Sequence, residues 1–248
     1  MHRFFVPHLQ TSGDRLRLGP EEAHHATRVL RLGPGDAVVL LDGQGGEFKA
    51  VIESAQRQEV IVCVRERVRH PAPFAEVVLV QAVAKSQAMD GVIHRAVELG
   101  CHAIQPLLTA HSVSRPDDPE SKRDKWQTIA TEAAKQSGNP WLTRIQPLLT
   151  PLEWLRSTDR PSHIIVASLA DSPESLRNIL SDVPGAEPPK IAVLVGPEGD
   201  FSPEEYATFR SIGARPVSLG PLVLRVETAA IALLAMVQYE LRLIANRS

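Results

Sequence analysis

From Glu76 onward, short apolar runs alternate with segments that have the residue spacing of amphipathic helices. The run Val77–Val83 is almost continuously apolar, which is typical of a parallel strand buried on both faces. An amphipathic segment over 88–99 follows it and ends at Gly100. Strands that alternate with helices predict a mostly parallel sheet covered by helices, which is an α/β fold. Ligands of such sheets bind beyond the carboxyl ends of the strands, so we expect the functional residues there.

The N-terminal part of the chain has a different pattern, in which turn signals at GPGD and DGQGG separate short extended segments. The expected strands cover 15–18, 37–41, 47–54 and 59–65. Together with one short helix over 20–30, they predict a small β-barrel-like module. The proline-containing segment HPAPF over 70–74 is expected to be a linker. We therefore expect a first domain over 1–70 and a second over 75–248.

Composition restricts the class of protein. A hydrophobic content of 43% and a net charge of -2 are those of an ordinary globular protein and argue against a surface covered in basic residues. The first 70 residues carry ten basic and nine acidic side chains, which gives them a net charge of +1 and suits an anionic partner. The sequence shows no signal peptide and no apolar run of the roughly 18 residues that a membrane helix needs, so we expect a cytoplasmic protein without a membrane partner. The two cysteines lie far apart, and neither CxxC nor HxxxH occurs, so we expect reduced thiols and no metal site.

The stretch LVGPEGDFSPEEY, from Leu194 to Tyr206, reads as a strand, a glycine loop and a helix start capped by Ser202. A phosphate-binding loop needs a lysine or a third glycine, and neither is present. Glu198 and Asp200 would also repel a phosphate. A cationic or zwitterionic ligand suits this loop better, and a tight connection that binds nothing is the simpler alternative.

A second candidate is the stretch LGPLVLRVETAAIALLA over 219–235. Gly220 and Pro221 form a turn after a strand, and the apolar residues 222–224 and Arg225 follow them. An apolar loop of this kind suits an aromatic heterocycle. The alanine- and leucine-rich helix after it is expected to be buried nearly all round, and a plain core helix is the alternative explanation.

The third candidate is the stretch KSQAMDGVIHRAVELG. Lys85 follows the first strand of the second domain, so we expect it on the ligand side of the sheet. Arg95 and Glu98 share the polar side of the next helix, where a solvated pair is the favoured interpretation.

The pairing of GPEGDFSPEE with LGPLVLRVETA resembles the RNA methyltransferases of the SPOUT superfamily. More narrowly, it resembles the bacterial family that methylates N3 of one uridine in small-subunit (16S) ribosomal RNA. The stretches HRFFV, HHATRVLRLGPGD, DGQGGEF and KSQAMDGVIHRAVELGCHAIQPLLTAHSV occur in the order of that family. The resemblance therefore covers nearly the whole chain.

The resemblance implies a PUA-like β-barrel for RNA, followed by a SPOUT methyltransferase domain that ends in a deep trefoil knot. It also implies a homodimer with active sites at its interface, and a bent S-adenosylmethionine held by the two loops. The matching cofactor residues are Leu194, Val195, Gly196, Pro197, Gly199, Leu219, Gly220, Pro221, Leu222 and Leu224. The implied substrate is small-subunit ribosomal RNA, within the assembled subunit. The chain departs from the family at Asp200, where a glycine is usual, and at Asn139, where an arginine is usual.

Methylation at N3 needs stabilisation of negative charge on the uracil carbonyl groups as the N3 proton leaves. Arg225 is the candidate for this role, and Glu198, favoured over Glu227, is the candidate that orients it or accepts the proton. RNA phosphates are expected to contact Arg3, Arg15, Arg28, Arg31 and Lys85. Two alternatives stay open at this point: an RNA-binding ribosome assembly factor without catalysis, and a SPOUT ribose 2'-O-methyltransferase acting on transfer RNA.

Overall fold

The computed structural model of the protein describes residues 1–7, 14–56, 59–161, 163–168, 173–181 and 188–245. The chain divides into two compact units. The first consists of Met1–Ala72 together with Ala134–Leu142, and the second of Pro73–Ala133 and Thr143–Ser248.

The first unit contains a five-stranded mixed sheet. Its strands are β1 (His2–Phe5), β2 (Arg15–Arg17), β3 (Ala37–Leu41), β4 (Gly46–Gln56) and β5 (Glu59–Arg69). Their order is β1-β3-β4-β5-β2, and only the β1–β3 pair is parallel. A short helix, α1 (Pro20–His24), continues into a π-helical turn (His25–Val29), and both contribute alanines to the core under the sheet. This arrangement confirms the small β-module, and β1 is a strand that the sequence pattern did not indicate.

The segment Ala134–Leu142 is part of the first unit. Lys135 is only 8% exposed and pairs with the Glu22 carboxylate at 3.0 Å. The Trp141 indole lies so close to Gly45 that a Cβ there would be 2.3 Å from the ring. The buried ion pair and this close contact anchor the segment to the sheet.

The second unit contains a six-stranded sheet in which every neighbouring pair is parallel. Its strands are β6 (Glu76–Ala82), β7 (Ala103–Leu107), β8 (Arg144–Ile145), β9 (His163–Ala167), β10 (Lys190–Val195) and β11 (Arg215–Val217). The order is β11-β9-β10-β6-β7-β8. The central strands are buried on both faces, which explains their continuous apolar sequences and confirms the α/β fold.

Six helices connect and cover these strands within the described part of the chain. They are α2 (Ser86–Glu98), α3 (Pro119–Ser137), α4 (Pro151–Arg156), α5 (Leu176–Ser181), α6 (Pro203–Ser211) and α7 (Val226–Ala245). Thr150 and Ser202 form complete capping boxes at the starts of α4 and α6, as their sequences predict.

The stretch Ser172-Pro173-Glu174 also has the sequence of a capped helix start, but residues 173–175 are not helical. Ser172 lies outside the described residues, and α5 begins only at Leu176. Glu174 is held elsewhere, because its backbone N–H donates to Pro216 O at 2.9 Å and its carboxylate pairs with Arg215. Tertiary hydrogen bonds to β11 thus delay the start of the helix.

The last helix, α7, is buried on one face and not nearly all round as expected. Val226, Leu233 and Val237 lie in the core, whereas Met236 is 40% and Tyr239 62% exposed. Contrary to the expectation from apolar runs, α7 is long and apolar enough to cross a membrane by length and composition. It packs against α2, β6 and β10.

Candidate active site

A cleft of about 990 Å³ opens in the second unit, beyond the carboxyl ends of β11, β9, β10 and β6. The volume lies near the upper end of the range for ligand pockets, roughly 300–1,000 Å³. Its lining comes from the ends of these four strands and from the first turns of α2 and α7. The lining residues are Lys85, Gln87, Ala88, Gly91, Arg95, Ala167, Ser168, Val195–Glu198, Asp200, Leu219, Gly220, Leu222–Glu227 and Ala229.

One wall of the cleft is the loop between β10 and α6. A turn closes it, since the Asp200 N–H donates to Pro197 O at 2.9 Å. Gly196 faces this turn so closely that a Cβ would lie 2.9 Å from Asp200 Oδ1 and 3.2 Å from the Phe201 nitrogen. At Gly199 a Cβ would lie 3.0 Å from the Cβ of His111. The two glycines of GPEGD are therefore required by close packing of the loop.

Asp200 adopts a left-handed backbone conformation, with φ at 60°. Its Oδ1 atom accepts hydrogen bonds from the Phe201 N–H and the Tyr206 hydroxyl, both at 2.8 Å. Burial raises the pKa of Tyr206, and the hydrogen bond to Asp200 raises it further, so the hydroxyl keeps its proton for donation.

The opposite wall is the loop between β11 and α7. Gly220 has φ at 113°, and its N–H donates to the Ser218 hydroxyl at 3.2 Å. Beyond this turn, the side chains of Leu222 and Val223 are 72% and 82% exposed. Arg225 immediately precedes α7, a 20-residue helix, and lines the cleft.

The cleft combines both signs of charge. Its acidic side chains are Glu198, Asp200 and Glu227, and its basic ones are Lys85, Arg95 and Arg225. Glu198 Oε1 accepts the backbone N–H of Lys85 at 3.1 Å, which links the β10–α6 loop to the start of α2. Within the described residues, none of the three basic side chains has a carboxylate within 4.0 Å. They are available to an anionic ligand.

The structure brings most of the predicted site residues together. Of the ten predicted cofactor residues, seven line the cleft: Val195, Gly196, Pro197, Leu219, Gly220, Leu222 and Leu224. Leu194 belongs to the hydrophobic core under the sheet, while Gly199 and Pro221 are exposed neighbours of lining residues. The candidate catalytic residues Arg225 and Glu198 and the candidate RNA ligand Lys85 also line it. Their roles stay predictions.

Several lining residues were not predicted to belong to the site. Ala167 and Ser168 line it because β9 lies directly beside β10, and strand order is a long-range property. Arg95, interpreted as one half of a solvated pair, lines the cleft and donates Nη1 to Gly91 O at 3.0 Å. The glycine four residues before Arg95 is the one local signal for this conformation.

The other four predicted RNA ligands lie in the first unit. Arg3 Nη1 donates to the carbonyl oxygens of Lys135 and Gln136, at 3.2 and 3.0 Å. Arg15 forms an ion pair with Glu53. Arg28 and Arg31 are exposed, and in the described part of the chain neither has an ion-pair partner. These two are the better placed for RNA phosphates.

Metal binding was not expected from the sequence. Among the residues described by the structure, no group of three or more His, Cys, Asp and Glu side chains could hold a metal ion.

Comparison with known proteins matches both units. Residues 70–238 match the RNA methyltransferase domain family, and residues 18–63 match the RNA methyltransferase PUA domain family. Ribosomal RNA small subunit methyltransferase E of Synechocystis sp. is 30% identical over 244 residues, which cover 95% of this chain and 77% of that protein. The Bacillus subtilis protein of the same name is 28% identical, with 90% of each chain covered.

Solved structures agree with these relatives. Ribosomal RNA small subunit methyltransferase E from Neisseria gonorrhoeae, bound to S-adenosyl methionine, superimposes with a TM-score of 0.85 at 26% identity and covers 96% of this chain and 97% of its own. A Legionella pneumophila protein in complex with the same cofactor has a TM-score of 0.85 at 30% identity, with 96% of each chain covered. This chain belongs to the family of RNA methyltransferases that carry a PUA domain ahead of the methyltransferase domain.

Proposed function

We propose that the protein transfers a methyl group from S-adenosylmethionine to N3 of a specific uridine in small-subunit (16S) ribosomal RNA. The observation that carries this proposal is the cleft between the GPEGD and LGPLVLR loops, which has the size and charges for this cofactor. Relatives named for methylation of small-subunit ribosomal RNA match over 90% or more of this chain.

The residues of the cleft fit the cofactor by their chemistry. The sulfonium and ammonium groups are cationic, and Glu198 and Glu227 supply negative charge without a counterion in the described residues. The tight packing at Gly196 leaves backbone groups, and no side chain, facing the ligand at that point. The apolar residues 222–224 offer contact for the adenine ring. We infer that the ten residues predicted from the sequence hold the cofactor, with Leu194 acting from the core.

S-adenosylmethionine supplies a methyl group already activated on a sulfonium, so the protein's task is to position and polarise the uracil. Arg225, which has no carboxylate partner within the described residues, stabilises negative charge on the uracil carbonyl oxygens as N3 loses its proton. We assign Glu198 to accept that proton rather than to orient Arg225, because no carboxylate lies within 4.0 Å of Arg225 among the described residues. The hydrogen bond from the Lys85 N–H holds Glu198 at the cleft.

RNA binding is assigned to the first unit and to the rim of the cleft. Arg28 and Arg31 are free to contact phosphates, and Lys85, which lines the cleft, contacts the RNA near the reacting base. The target is reached within the assembled small subunit in the cytoplasm.

We also infer a homodimer. Leu222 and Val223 beside the cleft, and Met236 and Tyr239 on α7, are large apolar side chains that lie exposed in the single chain. Burial of such residues is what drives association of subunits. The trefoil knot implied by the resemblance is proposed for the segment after β10, which supplies both loops of the cleft.

The test is transfer of labelled methyl from S-adenosylmethionine to purified small subunits, naked 16S RNA and transfer RNA. We expect labelling of small subunits, and a rate about 10²–10³-fold lower for Arg225→Ala at saturating cofactor. Cofactor affinity measured by calorimetry should be unchanged in that variant. Labelling of transfer RNA alone, or no cofactor uptake, would contradict the proposal.

A further inference from the structure

We propose that Asp200 and Tyr206 form a positioning pair that sets the affinity of the cleft for its cofactor. This inference rests on the proposed function, because it takes the cofactor to be S-adenosylmethionine. It concerns two residues that hold the β10–α6 loop in place. Asp200 lines the cleft, and Tyr206 lies behind it.

Asp200 has a conformation that normally favours glycine, with φ at 60°. Aspartate tolerates this region better than most residues, but at some cost. A glycine would avoid that cost and would provide neither of the 2.8 Å hydrogen bonds that Oδ1 accepts from the Phe201 N–H and the Tyr206 hydroxyl. The side chain thus ties the turn both to its own next residue and to α6.

Tyr206 connects this turn to the neighbouring strand. Its hydroxyl oxygen lies 3.4 Å from the carbonyl oxygen of Ala167 at the end of β9. The side chain of Ser168 forms a hydrogen bond with the same hydroxyl. The ring packs edge-on against Phe201 with 5.6 Å between centroids, and Phe201 is 4% exposed. Ala167, Ser168 and Asp200 all line the cleft, so the tyrosine joins two parts of its lining.

The far side of the loop is held independently. His111 Nδ1 hydrogen-bonds to Asp200 O at 2.9 Å, and the Ala110 N–H donates to Glu205 Oε1 at 2.8 Å. These contacts hold the backbone from the segment between β7 and α3. They do not involve the side chain of Asp200. We therefore assign the orientation of the turn toward the cleft to the pair of Asp200 and Tyr206.

The carboxylate also supports the cofactor-facing glycine. A Cβ at Gly196 would lie 2.9 Å from Asp200 Oδ1, so the carboxylate packs directly against this glycine. Without the pair, the turn from Pro197 to Asp200 gains alternative conformations, and binding must then select one of them. A site that is ordered before binding has a higher affinity than one that is ordered during binding.

The test is titration of the full-length protein and its variants with S-adenosylmethionine by calorimetry, with thermal unfolding of each variant as a check on folding. Tyr206→Phe and Asp200→Gly should each bind about tenfold more weakly, which corresponds to about 1.4 kcal/mol. Asp200→Asn keeps an oxygen acceptor and the left-handed tolerance, so it should stay within about twofold of the wild type. The double variant of Asp200→Gly and Tyr206→Phe should lose less affinity than the product of the two single losses, because both changes remove the hydrogen bond between Asp200 and Tyr206.

A matched control is Ser211→Ala, which removes a hydroxyl from the same helix away from the cleft and should leave the affinity unchanged. If Tyr206→Phe and Asp200→Gly fold and bind the cofactor with wild-type affinity, this inference is wrong, while the proposed function is unaffected. Equal losses in Asp200→Asn and Asp200→Gly with none in Tyr206→Phe would also overturn it, because the charge of Asp200 would then act directly on the cofactor. A wild type that takes up no cofactor would overturn the proposed function and this inference with it.

Discussion

Gly91 leaves room on α2 for the side chain of Arg95 to lie back along the helix and reach the cleft. A Cβ at Gly91 would lie 2.9 Å from Arg95 Nη1, the atom that donates to Gly91 O at 3.0 Å. Arg95 has no ion-pair partner among the described residues, so the expected pair with Glu98 does not form. We therefore expect Arg95 to contact an RNA phosphate at the mouth of the cleft.

Replacement of Gly91 by alanine should change RNA binding by Arg95 and the free energy of unfolding in opposite directions. Alanine is favoured over glycine inside a helix by roughly 0.5–1 kcal/mol, so the free energy of unfolding should rise in Gly91→Ala. The displaced Arg95 should at the same time raise the KM for RNA several-fold and leave the cofactor Kd unchanged. Urea unfolding, steady-state kinetics and calorimetry measure the three quantities.

The control is Arg95→Ala, alone and combined with Gly91→Ala. The double variant should have the same KM as Arg95→Ala, since the alanine at 91 acts only through the arginine. A Gly91→Ala protein with wild-type KM for RNA would contradict the assignment of Arg95.

At the scale of helices and strands, local chemistry made part of the structure predictable. The capping boxes at Thr150 and Ser202 and the apolar strands of the sheet depend on neighbours in sequence, and they form as expected. The order β11-β9-β10-β6 depends on pairing between distant segments, so Ala167 and Ser168 could not be placed at the cleft in advance. The start of α5 was wrong for the same reason, because β11 holds Glu174 through tertiary contacts.

Charged side chains from β6, β8 and β10 lie near His102, and this environment predicts that the stability of the protein depends on pH. Burial lowers the pKa of His102, and the nearby cations Arg144 and Lys190 lower it further, against the opposing effect of Glu76. Its Nε2 atom lies 2.6 Å from Arg144 Nη2, where a neutral imidazole accepts the hydrogen bond. The unfolded chain, with an ordinary pKa of about 6.5, therefore binds the proton more readily than the folded protein.

Stability should consequently fall as the pH drops from about 7.5 through 6.5, since protons favour the unfolded state in that range. Replacement of His102 by asparagine should flatten this part of the profile, measured by urea unfolding at several pH values. His94→Asn, an exposed histidine on α2, is the control and should keep the wild-type slope. A His102→Asn profile as steep as that of the wild type would show that other groups are responsible.

At the scale of the whole molecule, the chain combines a mixed β-unit with a parallel α/β unit, and both match RNA methyltransferase families. The separation of function between 1–70 and 75–248 stays a prediction. Sequence patterns gave no indication that Ala134–Leu142 belongs to the first unit, because the contacts of Lys135 and Trp141 lie far away in sequence. The positive charge of the first unit is available at Arg28 and Arg31, whereas Arg15 is paired with Glu53.

RNA binding should therefore weaken steeply as the salt concentration rises. Arg28 and Arg31 of the first unit should contribute to the slope of log K against log salt. Removal of both Arg28 and Arg31 should reduce the slope of log K against log salt by about 2, one unit for each phosphate contact. Arg17→Ala is the control, because its guanidinium is already paired with Glu59 at 3.3 Å. An unchanged slope in the double variant would remove these two residues from the RNA interface.

The atom that receives the methyl group distinguishes a uracil-N3 methyltransferase from every other RNA methyltransferase. Small subunits methylated by the purified protein are digested to nucleosides and analysed by chromatography and mass spectrometry. We expect 3-methyluridine, formed once per subunit and about 10²–10³-fold more slowly with Arg225→Ala. A methyl group found on a ribose hydroxyl or on another base atom would contradict the proposed function.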